Sequence, residues 1–247
     1  MTIRRANVEG IRVDAGTRRE FLDRILELAG EDRTSRVLFA NVHMVARALD
    51  DPGLRETLEE ADLVCPDGMP LVRLLNWSGA RTQRCEGMAA FPLLLGLAES
   101  AGLPVAFYGS TEAVHGAMLD RIRREHPALR IAHAQAPPFG PSLSVAFEQD
   151  LRTLSGSGAR LVFVALGCPR QEMWMRAAHG IPGCLLGVGN AFEVHAGFRR
   201  RAPLWARALC LEWTFRLAAE PRRLGSRYLG TNLRFLRALP PWILRRR

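Results

Sequence analysis

Ala61-Asp62-Leu63-Val64-Cys65-Pro66-Asp67-Gly68-Met69-Pro70 is a short apolar run stopped by a proline. Leu63, Val64 and Cys65 predict a buried strand, and Pro66, with no N–H to give to a ladder, ends it and leaves Asp67 on its tip. Gly68 beside it frees the backbone and lets a ligand approach. Taken alone the stretch is also an ordinary Asp-Gly turn. Its neighbours decide between the two.

Upstream, Arg36 to Ala40 is a second apolar run that stops at Asn41, Val42 and His43, where a helical stretch toward Leu49 begins. If the two strands are parallel neighbours, Asn41 and Asp67 share one sheet edge. Thr17-Arg-Arg-Glu20 has capping-box spacing and opens an amphipathic helix with Phe21, Leu22, Ile25 and Leu28, closed at Gly30. Downstream, helical patterns cover Leu71–Asn76 and Met88–Ser100. Strands are predicted at Leu103–Tyr108, Arg130–Ala134, Arg160–Leu166 and Cys184–Val188, with helical stretches after Gly109-Ser110-Thr111-Glu112 and from Leu143 to Leu154. Alternating strands and helices with short connections give an α/β, Rossmann-like, mainly parallel sheet with helices on both faces. Ligands bind such sheets outside the carboxyl ends of the strands. Asn41, Asp67, Gly109-Ser110, Gly167-Cys168-Pro169-Arg170-Gln171 and Gly189-Asn190 all fall at such exits, so Asp67 is a candidate for chemistry. The Gly109-Ser110 turn is open to two readings, a structural N-cap or an anion site built from helix N-terminal N–H groups.

The 247 residues are nearly half apolar and suit one large globular domain with an appendage. Neither a signal peptide nor an apolar stretch of about 18 residues is expected. Cys65, Cys85, Cys168, Cys184 and Cys210 are odd in number, scattered and without a Cys-x-x-Cys pair, which argues against a disulfide framework and a zinc site. The net charge of +9 is uneven: residues 198–247 hold 13 Arg against only Glu212 and Glu220, and no lysine occurs anywhere. In that segment Leu204, Trp205, Leu209 and Leu211 lead to a second run in which Arg222, Arg223, Arg227, Arg234 and Arg237 interleave with Leu224, Tyr228, Leu229 and Leu233. Such a pattern predicts an interfacial helix meeting anionic lipid or a diphosphate, with a packed surface helix as the plain alternative. Domains are therefore expected at 1–197, catalytic, and 198–247, a basic helical appendage.

Asp67-Gly68, Phe107-Tyr-Gly-Ser110, Pro137-Pro-Phe139, Gly167-Cys-Pro-Arg-Gln-Glu172, Gly187-Val-Gly189, Arg201-Ala-Pro-Leu-Trp205, Leu211-Glu-Trp213, Glu220-Pro-Arg-Arg-Leu224 and Arg227-Tyr-Leu229 resemble the WecG/TagA/CpsF glycosyltransferases, glycosyltransferase family 26. The likeness runs from about Phe39 to Leu236. It implies an inverting, metal-independent transfer of a hexosyl unit, of N-acetylmannosamine, its uronate, glucose or glucuronate type. The donor is a UDP-sugar and the acceptor an undecaprenyl-diphosphate-linked saccharide at the inner face of the cytoplasmic membrane, in cell-surface polysaccharide synthesis. The resemblance makes Asp67 the catalytic base and Asn41 the polar residue facing it, and puts Gln171 in the sugar-nucleotide pocket with Tyr108, Gly109, Ser110, Gly167, Pro169, Gly189 and Asn190. Arg84 and Gly87 match the loop after the active-site helix, and Arg84, Arg216, Arg222, Arg223 and Arg227 fall to the acceptor diphosphate. Two positions depart from it. Family members commonly carry Thr where this chain has Phe39 and Asp where it has Ala89, which implies a different sugar or acceptor hydroxyl pattern.

No cofactor or metal is expected, in keeping with the lack of an Asp-x-Asp pair. The partners expected are the UDP-sugar, the lipid diphosphate and the membrane surface, without nucleic acid; a homo-oligomer is left open. A Rossmann-type oxidoreductase is the rival enzyme class, but Gly109-Ser110-Thr111 lacks its glycines and spacing. A non-enzymatic module binding anionic lipid or nucleic acid is the third reading, and the leucine spacing around the arginines favours lipid over RNA.

Overall fold

A computed structural model describes residues 3–8, 10–137, 145–203, Ala206 and Phe215. The chain opens with a hairpin of β1 (Arg4–Val8) and β2 (Ile11–Ala15), antiparallel with Val8 opposite Ile11. The sequence reading assigned no element there. Its alternating Val8, Ile11 and Val13 are fully buried, so the hairpin lies against the main body instead of forming a tail.

The remaining strands form one sheet. They are β3 (Thr34–Ala40), β4 (Leu63–Pro66), β5 (Val105–Gly109), β6 (Ile131–Gln135), β7 (Leu161–Ala165) and β8 (Gly183–Gly187). Their order is β4-β3-β8-β7-β5-β6, and every neighbouring pair is parallel. The parallel α/β architecture expected from the alternating pattern is the one that forms.

Helices cover both faces. Against one face lie α1 (Arg18–Gly30), α5 (Gly87–Ala101), α6 (Glu112–Glu125) and α9 (Ala191–His195), packed through Phe21, Phe91, Met118 and Phe192 onto Val37, Phe39, Phe107, Phe163 and Leu186. Phe91 meets Phe163 edge-on at 4.9 Å, and removing such a buried ring costs about 3–5 kcal/mol. Against the other face lie α2 (Val42–Ala48), α3 (Pro52–Glu60), α4 (Met69–Trp77), α7 (Val145–Gly156) and α8 (Arg170–Ala177), with the hairpin. Helix α1 starts as its capping box requires, Thr17 Oγ1 accepting from Glu20 N at 3.2 Å and Glu20 Oε2 from Thr17 N at 2.7 Å. Helix α3 was not anticipated, although Asp51 caps it and Pro52 sits at its first turn.

Two features of this layering place the site. The helices that follow β3 and β7 go to one face, whereas those that follow β5 and β8 go to the other. Along the central strands β3, β8, β7 and β5 each neighbouring pair of exits therefore diverges, and the gap left at their carboxyl ends is where ligands bind in open α/β sheets. Strand β4 lies at the sheet margin, propped by the hairpin: Asp14, 1% exposed, accepts from Val64 N at 2.8 Å and is itself held by Arg12.

Candidate active site

Asp67 stands on the tip of β4, as the proline stop predicts. The pairing of Ala40 with Pro66 makes Asn41 and Asp67 the next residues on adjacent strands, and Asp67 N donates to Ala40 O at 2.7 Å. Asn41 uses its side-chain oxygen to cap α2 through Met44 N at 3.1 Å. Gly68 runs against it, with room for a Cβ only 3.6 Å from that of Asn41. The Asp67 side chain is 20% exposed, open enough to meet a ligand.

The charge facing Asp67 comes from Arg84. Its Nε donates to Asp67 O and its Nη2 lies 3.5 Å from Asp67 Oδ1. The same Nη2 is 2.6 Å from Glu86 Oε2, an ion pair without the alignment of a hydrogen bond. Glu86 is 4% exposed at the N-cap of α5, where its side chain does not cap the helix; its other oxygen accepts from Arg201 Nη2. Gly87 then packs onto the sheet: a Cβ there would stand 3.2 Å from both Phe39 Cδ2 and Val188 Cα. The approach of α5 to the β3 and β8 exits is close enough that any side chain here would force its neighbours to shift. Phe39 accordingly faces the core, 4% exposed.

At the other end of the edge the polar groups are mostly uncharged. Gln171, 3% exposed at the start of α8, accepts from Gly189 N at 3.1 Å and donates to Glu172 Oε1 at 2.7 Å, so it ties the β7 and β8 exits together. Gly167 is exposed with φ 77, Pro169 precedes α8 through a cis peptide, and Asn190 sits half-buried before α9 without capping it. Ser110 adopts φ 61, a left-handed backbone that a non-glycine residue holds only under constraint. Of the two readings of this turn, the anion site loses one N–H: that of Ser110 donates to Ala165 O at 3.0 Å. Its hydroxyl meets Glu193 Oε1 at 3.1 Å. A carboxylate beside this turn suits a hydroxyl donor better than a phosphate. His115 Nε2 donates to Gly109 O at 2.7 Å, and burial holds this imidazole below its ordinary pKa.

Tyr108 points elsewhere. It is 3% exposed, stacks on Trp174 at 4.5 Å, and its hydroxyl donates to Asp150; burial first, then that carboxylate, raise its phenol above the usual range. Its place is in the packing between β5, α7 and α8, because alternate side chains along β5 face opposite layers. Arg216, Arg222, Arg223 and Arg227, like most of the 198–247 appendage, lie outside the described residues. Glu86, Glu193 and the Arg201 contact were not found from sequence. Their only local signals were an acid before Gly87, an acid after Phe192, and the arginine opening Arg201-Ala-Pro-Leu-Trp205.

A parallel sheet whose carboxyl edge gathers a carboxylate, arginines and amides has the α/β architecture in which ligands are held at that edge. Residues 6–247 match the Glycosyl transferase WecG/TagA/CpsF family, and the chain belongs to it. Two relatives carry the same description, N-acetylglucosaminyldiphosphoundecaprenol N-acetyl-beta-D-mannosaminyltransferase. The one from Bacillus spizizenii (strain ATCC 23059 / NRRL B-14472 / W23) is 30% identical over 200 residues, 78% of this chain and 74% of the relative. The one from Bacillus subtilis (strain 168) is 30% identical over 190 residues, 74% of this chain and 71% of the relative. The protein is thus a glycosyltransferase, and the oxidoreductase alternative falls away.

Proposed function

We propose that the protein transfers a hexosyl unit, of N-acetylmannosamine or a related type, from a UDP-sugar to a saccharide carried on undecaprenyl diphosphate, with inversion at the anomeric carbon. The observation that carries this is Asp67, a partly open carboxylate at a strand tip with a guanidinium against it, in a chain whose relatives are described as acting on a diphosphoundecaprenol-linked sugar. In one displacement the acceptor hydroxyl oxygen bonds to the anomeric carbon as the bond from that carbon to the UDP oxygen breaks. The hydroxyl proton passes to the Asp67 carboxylate, and UDP leaves with the bonding electron pair. Arg84 orients Asp67 through both its backbone carbonyl and its carboxylate. Gln171 shapes the Gly189-Asn190 turn for the nucleotide, and Glu193 with Ser110 offers acceptors to sugar hydroxyls.

The negative charge growing on UDP and the acceptor diphosphate falls to arginines, with Arg216, Arg222, Arg223 and Arg227 as candidates. The basic segment from residue 198 onward meets the inner face of the cytoplasmic membrane and brings those arginines to the lipid-linked acceptor. Incubating the protein with a panel of UDP-sugars and a short-chain lipid-diphosphate acceptor, and weighing the product, tests the reaction: a product heavier by one hexosyl residue is expected, and none with any donor refutes it. Truncation after Ala196 is expected to abolish both binding to anionic vesicles and transfer.

A further inference from the structure

Glu86 is a buried carboxylate that the reaction as written does not use. It could have capped α5, whose first turn it precedes, yet its two oxygens turn to two arginines, one just before it in the chain and one far along it. One is Arg84, already on Asp67; the other is Arg201, 115 positions along the sequence, where the chain leaves α9 toward the basic segment. The four groups form a chain of alternating sign, Asp67, Arg84, Glu86, Arg201, with side-chain exposures of 20%, 13%, 5% and 28%. A carboxylate this buried is kept in place by oppositely charged partners on both of its oxygens.

Two consequences follow from the geometry. Arg84 Nη2 is shared between 2.6 Å to Glu86 and 3.5 Å to Asp67, so Glu86 fixes where the guanidinium sits and keeps it from closing onto the carboxylate that must accept a proton. The same side chain also grips Arg201, and through it the backbone at residues 199–203. Gly87 strengthens the arrangement, because its packing on Val188 leaves the α5 start no freedom to swing away.

We propose that Glu86 is a positioning residue that joins the connector at residues 199–203 to the Asp67–Arg84 pair, so that the placement of that connector and the orientation of the base are set together. The inference rests on the proposed transfer for its kinetic consequence, and on the ion-pair geometry alone for its structural one. Two measurements on the full-length chain separate these.

In the first, amide hydrogen exchange is compared between the wild type and Glu86→Gln, which keeps size and loses charge. Residues 198–203 should exchange about tenfold faster or more, with protection of β3, β7 and β8 unchanged. Equal exchange at 198–203 would overturn the proposal even if no donor sugar is ever found, so its failure and that of the proposed reaction are distinguishable. In the second, with an active donor, Glu86→Gln and Arg201→Gln are each expected to lower kcat about tenfold with donor KM nearly constant. The double variant should lose hardly more than either single one, and Glu86→Asp should recover part of the rate. Losses that multiply to about a hundredfold in the double variant would show two independent defects and refute the coupling.

Discussion

At the β3–β4 end of the sheet edge the side chains are ionic and linked in series, Asp67 to Arg84 to Glu86 to Arg201. At the β5–β7–β8 end they are amides, turns and a carboxylate on a hydroxyl, with Gln171 bridging Gly189 and Glu172 and Ser110 on Glu193. Opposed charges hold a group in place while leaving it able to gain a proton, whereas neutral donors and acceptors read hydroxyls and amides. On the proposed function, chemistry falls to the first end and donor recognition to the second, with Gly87 as the joint where α5 touches the β3 and β8 exits.

The sharpest way to break this division is Asp67→Asn. Turnover should fall at least about a hundredfold while UDP affinity by calorimetry stays within experimental scatter of wild type. Near-normal turnover would remove Asp67 from the mechanism and with it the role given to the ionic end. Gln171→Leu should do the reverse. It leaves Gly189 N without its acceptor, so donor KM should rise about tenfold with kcat changed little. A kcat defect of that size at constant KM would mean that the two ends are not separate.

Gly87→Ala tests the joint. The added methyl meets backbone of the β8 exit at 3.2 Å, and a loss of about 1 kcal/mol in urea-unfolding free energy is expected. The smallest effect concerns pH. Burial lowers the pKa of His115 and of His195, so each takes up a proton at lower pH in the folded state than in the unfolded chain, where protonation comes near the ordinary imidazole value of about 6.5. Their contribution is complete above that value and is lost as pH falls below it. The urea midpoint should therefore drop between pH 7.5 and 5.5, and His115→Gln should flatten part of that drop.

What the sequence disclosed and what it concealed divide along the same line. Asp67 and Asn41 were legible because a proline stop and an apolar-run end are local signals, and parallel pairing of β3 with β4 carries one to the other. The layer order was not legible, since β8 slips between β3 and β7 from far along the chain. Tyr108's hydroxyl contact was not legible, since its partner Asp150 lies 42 residues away. Glu86 was not legible, because the arginine that reaches it, Arg201, lies 115 positions away. The hairpin and α3 did leave signals, an alternation at Val8, Ile11 and Val13 and an Asp51-Pro52 start, both short enough to pass as loop.

The prop on β4 bears on a different matter, how the protein survives at high concentration. A marginal strand offers its free N–H groups to any passing chain, which is how sheets of separate molecules stitch together. On the outward side of β4, Val64 N is already answered by the Asp14 carboxylate, and two residues on, Pro66 has no N–H to offer. The strand that ends at Asp67 is thereby closed to recruitment, and a chain lacking Asp14 is expected to be lost to aggregation before it is lost to inactivity.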